Sequence, residues 1–131
     1  LTPDYPSFAN QINRGATTLW EQWCGKGDMS SNNHAMFAGA INGFYTRLAG
    51  IVPIKNGFEA VKIKPVITKY IKKLDLKFNS VKGKYEINYK IADGEFFLSV
   101  NTPPNTKAEI ELPSGEIFKV GNGKFEFKCG L

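Results

Sequence analysis

One histidine, two cysteines and two tryptophans are all that 131 residues provide of the side chains richest in chemistry. No apolar run reaches the roughly 18 residues of a membrane-spanning helix. No basic, apolar and small-residue opening marks a secretory leader. The chain begins at Leu1 rather than Met, as a processed or excised segment would. Cys24 and Cys129 are far apart and fit no CxxC or His-spaced pattern, so no zinc site is expected. Nothing in the sequence pairs them, and free thiols suit a reducing compartment. A phosphate loop, HExxH, GxSxG and an EF-hand loop are all absent. No cofactor and no metal are expected.

Arginine is also absent after Arg47, which bears on the net charge of +5. Residues 1–50 are balanced, with Arg14, Lys26 and Arg47 against Asp4, Glu21 and Asp28. The whole excess lies in residues 51–131, whose basic residues are all lysines. A basic half invites a nucleic-acid reading. These lysines, however, are spread among acids along alternating segments, where lysine keeps sheet edges from pairing with one another. No nucleic-acid partner and no membrane partner are expected.

What is present falls into two halves with different hydrophobic periods. In the first, Ser7 is placed to cap a short helix over Phe8–Arg14, with Gly15 to end it. Thr17 and Thr18 open a second helical or turn segment, Leu19–Trp23. Gly25-Lys26-Gly27-Asp28 is a loop by composition. Ser30, Ser31, Asn32 and Asn33 then offer caps for the longest helix. Phe37, Ile41, Phe44 and Leu48 form one apolar stripe along it. Gly39 and Gly43 cost helix propensity, so close approach of a neighbouring helix is expected there. Gly50 and Pro53 stop the helix.

From residue 58 the period becomes two. Residues 58–64, 74–78, 85–91, 97–100, 108–112 and 125–127 alternate, and turn signals separate them. Lys82-Gly83, Asp93-Gly94, Pro103-Pro104-Asn105, Pro113-Ser114-Gly115 and Gly121-Asn122-Gly123 are those signals, Asp93-Gly94 being the clearest tight hairpin. The expected architecture is an antiparallel β-sandwich. The aromatic residues Phe78, Tyr85, Tyr89, Phe96, Phe97, Phe125 and Phe127 mostly alternate inward. Phe96 and Phe97 are adjacent, so one of the two faces outward. Inward aromatics suit packing better than sugar binding. One long helix and two short segments cannot enclose Trp20, Trp23, Phe37, Phe44 and Tyr45. Either the sandwich or further chain must cover them.

The densest site-like stretch is Gly15-Ala16-Thr17-Thr18-Leu19-Trp20-Glu21-Gln22-Trp23. It sets one carboxylate between two indoles. A glycosidase needs a carboxylate beside the sugar and aromatic faces for its C–H surfaces. Apolar neighbours would also raise the carboxyl pKa toward an acid–base range. The plainer alternative is a capping box, Thr18-x-x-Glu21, in which Glu21 satisfies a backbone N–H. His34, after Asn32-Asn33, is either a cap-region packing residue or a hydrogen-bonding partner for a sugar hydroxyl or a carboxylate.

Taken in order, several segments resemble the end of bacterial α-L-rhamnosidases. Pro3-Asp4-Tyr5-Pro6-Ser7-Phe8 is similar to their Pro-x-Tyr-Pro-Ser loop. Residues 15–23 resemble their Gly-Ala-Thr-Thr-x-Trp-Glu-x-Trp motif, and residues 31–37 their Ser-x-Asn-His stretch. Phe44-Tyr45 and Leu48-Ala49-Gly50-Ile51 resemble the helix that follows. Gly57-Phe58, Ile63-Lys64-Pro65, Pro103-Pro104-Asn105-Thr106 and Leu112-Pro113-Ser114-Gly115 resemble the C-terminal β-domain. The chain departs from the family pattern at Gln22, Cys24, Asn32 and Ala35, which bears on substrate preference more than on fold.

The resemblance implies an α+β fragment: the terminal helices of an (α/α)6 toroid over residues 1–52, then an antiparallel β-sandwich over 53–131. It implies that Glu21 is the general base of an inverting glycosidase, and that His34, Trp20 and Trp23 line the rhamnose pocket. The substrate would be a rhamnose-containing glycan or glycoside. The family's general acid belongs to an earlier Asp/Glu-rich motif, which neither Asp4 nor Asp28 matches. The isolated chain is therefore expected to be inactive, and to self-associate through its exposed helical surface. The alternative is an accessory carbohydrate-binding or structural sandwich with no catalytic role. Bacterial cytoplasm, periplasm and secretion are equally compatible with the sequence.

Overall fold

The computed structural model describes residues 4–24 and 31–131. Pro3, the Gly25-Lys26-Gly27-Asp28 loop and the Ser30 cap lie outside the described residues. The chain forms two compact units, Leu1–Asn42 and Gly43–Leu131.

In the first unit, α1 spans Phe8–Asn13. The Ser7 hydroxyl accepts from the Asn10 backbone N–H at 3.0 Å, which satisfies one of the open donors of the first turn. Gly15, at φ 87°, turns the chain away after Arg14. Residues 16–24 then run through bends and a turn, so Leu19–Trp23 is a turn segment with no helix in it.

The expected long helix is not regular. Ala35–Ile41 winds as a 3₁₀ helix, and in the second unit Phe44–Leu48 winds as a π-helix. The apolar stripe explains this: Phe37, Ile41 and Phe44 remain 40%, 54% and 45% exposed. Most helices in proteins owe their stability to a buried face rather than to propensity, and this one has its face in solvent. Gly39 and Gly43 each forfeit about 1 kcal/mol of propensity against Ala. Among the described residues no neighbouring helix packs on them: a Cβ at either glycine would meet nothing within 4 Å. Among the described residues, the first 50 therefore hold few helical turns, and the molecule is mostly β.

The second unit is a β-sandwich. Its strands are β1 (Ile51–Pro53), β2 (Ala60–Ile63), β3 (Lys73–Ser80), β4 (Gly83–Ala92), β5 (Glu95–Thr102), β6 (Lys107–Glu111), β7 (Ile117–Val120) and β8 (Gly123–Gly130). One sheet has the order β1-β2-β6-β7 and the other β3-β4-β5-β8. The second is wholly antiparallel, with Leu76 opposite Ile87 and Val100 opposite both Ile87 and Phe125. The first corrects the expectation of an all-antiparallel sandwich. Strands β2 and β6 run parallel, Val61 beside Ala108 and Ile63 beside Ile110. They are distant in sequence, so a crossover joins them where a hairpin would force the antiparallel direction. Strands β1 and β7 carried no clear alternation. β1 is three residues long, and β7 has both Ile117 and Phe118 more than a third exposed.

The Asp93-Gly94 hairpin forms as its residues dictate, with φ of 53° and 76°. Two successive positive φ values match the twist of the flanking strands. Inward positions from both sheets then make one core. Tyr85, Ile87, Phe96 and Val100 face Val61, Ile63 and Ile110, all with no exposed surface. Full burial of one such side chain is worth roughly 1.5–3 kcal/mol relative to exposure. Phe96 is the inward member of its pair. Phe97 lies on the outer face with Lys90 and Lys128 over its ring at 5.6 and 5.4 Å. The sandwich also recruits the tail of the π-helix. Ala49 is fully buried, and Tyr45 meets Phe78 edge-on at 5.9 Å.

Gly50 fixes that join within the second unit. Its carbonyl accepts from Lys64 N–H at 3.0 Å, and the Arg47 carbonyl accepts from Val66 N–H at 3.0 Å. At φ 70°, a Cβ on Gly50 would overlap the Lys64 carbonyl. Gly50→Ala should therefore lower sandwich stability by at least ~2 kcal/mol in urea unfolding. Gly115→Ala has φ 90° but open space around it, and should cost only the left-handed penalty of roughly 1–2 kcal/mol.

The outer faces are charge-paired. Lys62 Nζ lies 2.8 Å and Lys64 Nζ 2.5 Å from the two Glu111 carboxylate oxygens. Hydrogen bonds from Lys62 and then Lys64 hold the Glu111 carboxyl below its ordinary value of 4.5. Lys84 lowers Glu86 and Lys124 lowers Glu126 in the same way. Each group binds its proton more readily in the unfolded chain. Their contribution is therefore complete above 4.5 and is lost as pH falls through the lower folded values. The melting temperature should drop on acidification below 4.5, and Glu111→Gln should make that drop shallower. Molar salt, which screens exposed pairs, should weaken the dependence.

Candidate functional site

The four site candidates, Trp20, Glu21, Trp23 and His34, all lie in the first unit. Two strands of irregular chain, residues 16–24 and 31–34, carry them. Backbone bonds join these segments: Glu21 N–H donates to Ser31 O at 2.9 Å, and His34 N–H to Leu19 O at 2.6 Å. The Thr18 hydroxyl donates to the Asn32 carbonyl. Glu21 completes the staple, its Oε2 accepting from Ser31 N–H at 2.8 Å.

The capping-box alternative is not what forms. Glu21 does satisfy a backbone N–H, but that of Ser31 across the loop rather than that of Thr18, and no helix begins there. Its side chain remains 41% exposed. The carboxylate thus faces solvent on one side and an amide on the other, instead of being sealed among indoles. His34 brings Nδ1 to 3.8 Å from the same Oε2, with its own side chain 26% exposed. It heads the 3₁₀ turn but makes no side-chain cap bond. Its Nε2 lies 2.7 Å from Met36 Sδ, and its ring is 5.1 Å from that of Phe37.

The aromatic residues gather around this carboxylate. Phe8 of α1 meets Trp23 edge-on at 5.1 Å. Phe8, Gln11, Trp20, Glu21, Trp23 and Phe37 enclose a cavity of about 90 Å³. The structure therefore brings Trp20, Glu21 and Trp23 into one small pocket and sets His34 against its carboxylate. A single carboxylate can accept a proton from water or hold a hydroxyl. Glu21 is the one carboxylate among the described residues that line this pocket. Cys24 and Cys129 are both free thiols.

Sequence reasoning missed Gln11. It is the one buried residue of α1, 3% exposed, while Ile12 beside it is 64% exposed. Its Nε2 donates to the Trp20 carbonyl at 3.3 Å and the Gln22 carbonyl at 3.1 Å. A polar residue four positions after the Ser7 cap gave no periodic signal. It is legible only when the loop that it holds is in view.

The staple makes an exchange prediction. In the 131-residue chain, Glu21→Gln keeps an acceptor for Ser31 N–H, whereas Glu21→Ala leaves that donor to water. Loss of a net hydrogen bond of about 1 kcal/mol corresponds to a several-fold change in an opening equilibrium. Ser31 amide exchange, followed by NMR, should accelerate several-fold in Glu21→Ala and much less in Glu21→Gln.

The comparisons with known proteins agree across both units. The profile of the bacterial alpha-L-rhamnosidase C-terminal domain matches residues 50–125, and that of the bacterial alpha-L-rhamnosidase 6 hairpin glycosidase domain matches residues 1–48. An alpha-L-rhamnosidase of Formosa agariphila is 34% identical over 92% of this chain, which spans 14% of that relative's length. The crystal structure of an alpha-L-rhamnosidase from Aspergillus terreus matches 99% of this chain with a TM-score of 0.90 and 27% identity, over 17% of its own length. That of Streptomyces avermitilis, complexed with L-rhamnose, matches 98% with a TM-score of 0.89 and 27% identity, over 15% of its own length.

Proposed function

This chain belongs to the bacterial α-L-rhamnosidases, and from that premise we propose that it is the C-terminal part of an enzyme hydrolysing terminal α-L-rhamnosyl residues with inversion. The chain spans only 14% of the length of its Formosa agariphila relative, so the activity belongs to the longer protein. In that protein residues 1–52 would complete an (α/α)6 toroid, and residues 53–131 would form the sandwich domain that follows it in the chain. The exposed Met36, Phe37 and Ile41 would be covered by earlier helices. In the isolated chain the same surface is free to pair with a second copy.

The observation that carries the mechanism is the carboxylate of Glu21, open to solvent, beside His34 and between Trp20 and Trp23. In an inverting glycosidase one carboxylic acid protonates the leaving oxygen. A carboxylate about 6.5–9.5 Å away takes a proton from the attacking water. Glu21 is the proposed base. Ser31 N–H orients its Oε2, and Oε1 is the oxygen proposed to take the proton from water. His34, Trp20 and Trp23 are the proposed sugar contacts, the indoles offering flat faces to C–H bonds. The general acid lies in another part of the longer protein, so the isolated chain should not turn over substrate. The proposed substrate is a rhamnose-containing glycan or glycoside, with no cofactor.

The accessory-module reading has less behind it. Tyr85, Tyr89 and Phe96 are buried, and the outward Phe97 has lysines over its ring. A nucleic-acid role is not proposed, since Lys62, Lys64, Lys84, Lys124 and Lys128 all stand against carboxylates.

The test is hydrolysis of an aryl α-L-rhamnoside by the full-length enzyme and by its Glu21→Gln variant. Loss of a general base should slow turnover roughly 10²–10⁴-fold. Azide needs no proton removed, so it should restore turnover and yield the β-L-rhamnosyl azide. An unchanged rate would return Glu21 to a purely structural role.

A further inference from the structure

We propose that Gln11 is a positioning residue for the reaction, fixing the peptide units around Glu21 so that its carboxylate points where water must be activated. This rests on the reading of Glu21 as the base. Helix α1 buries its glutamine and exposes its isoleucine, the reverse of what the hydrophobic effect alone selects. A buried amide is costly unless its donors are met. Here both N–H bonds of the one nitrogen are met, by the carbonyls of Trp20 and Gln22. Those are the residues on either side of Glu21.

The consequence is a doubly held peptide. The Trp20 carbonyl and the Glu21 N–H belong to one planar unit. Gln11 holds its oxygen, and the Ser31 carbonyl holds its hydrogen. Gln11 also holds the carbonyl of Gln22, two residues further on and beyond Glu21. With the backbone fixed on both sides and Ser31 N–H on Oε2, little freedom remains in the direction of the carboxylate. Gln11 also lines the 90 Å³ cavity with Glu21 and both indoles. Its own anchor is α1, capped by Ser7, whose carbonyl accepts from Gln11 N–H at 3.2 Å.

The experiment uses the full-length enzyme and Gln11→Met, similar in size but without donors. A misplacement on the order of 1 Å can cost about 10²-fold in rate. Gln11→Met should lower kcat about 10–100-fold with KM within about twofold. Azide should restore the lost turnover, because it bypasses the base. In a Glu21→Gln background, adding Gln11→Met should cause little further loss, since residues acting through one group are not additive. Gln11→Asn keeps the donors but is one methylene short; it is measured in the same way and should fall between. A folded Gln11→Met at full kcat, beside an impaired and azide-rescued Glu21→Gln, would overturn the proposal and leave Glu21 standing. So would a loss that azide does not restore and that adds fully to that of Glu21→Gln, which marks a merely structural role. Full activity in Glu21→Gln would sink both readings together.

Discussion

Two sheets each have one face that water does not favour, and neither can be stable with that face wet. The sandwich exists because Val61, Ile63 and Ile110 of one sheet and Tyr85, Ile87, Phe96 and Val100 of the other close on one another. Everything else in the second unit follows from that closure. The pleat sends the alternate residues outward, where lysines and glutamates pair on the sheet surfaces. The chain leaves β2, builds β3, β4 and β5 in the other sheet, and returns as β6 beside β2 and parallel to it.

Among its described residues the first unit has no such interior. Gln11 is buried in α1, and Ile12, Met36, Phe37 and Ile41 are exposed. Its order comes instead from polar clamps: Ser7 on α1, Gln11 on two carbonyls, Thr18 on Asn32, and Glu21 on Ser31. Such bonds contribute about 0.5–1.5 kcal/mol each, but they are directional. A hydrophobic contact fixes a distance loosely, whereas an amide on a carbonyl fixes an angle. Directional bonds of this kind suit the role proposed for Glu21.

That difference also accounts for the broken helix. Residues 35–48 carry a helical apolar stripe, yet wind as 3₁₀ and π turns while Phe37, Ile41 and Phe44 stay exposed. Ala49 is buried in the sandwich core, and Tyr45 packs partly buried against it. The chain spans only 14% of the length of its Formosa agariphila relative, and under the function proposed above further chain would cover this stripe.

What the sequence determined by itself was whatever depends on neighbours in the chain. Ser7 as a cap, Asp93-Gly94 as a hairpin, and the inward alternation of β4 and β5 are local rules, and the structure obeys them. So is the grouping of Trp20, Glu21 and Trp23, set by spacing within one turn. What only tertiary structure decided was whatever depends on residues distant in sequence. Strands β1 and β7 form because β2 and β6 offer them edges, not because Ile51–Pro53 or Ile117–Val120 alternate strongly. The parallel pairing of β2 with β6 is a property of the crossover. His34 reaches Glu21, and Ser31 replaces Thr18 as its amide partner, because two loop segments are stapled together. Gln11 could not be read at all, since a hydrogen bond to carbonyls nine and eleven residues away leaves no mark in composition or period. Periodicity records which face a residue shows to the core; it carries no record of which distant backbone group a polar side chain will meet.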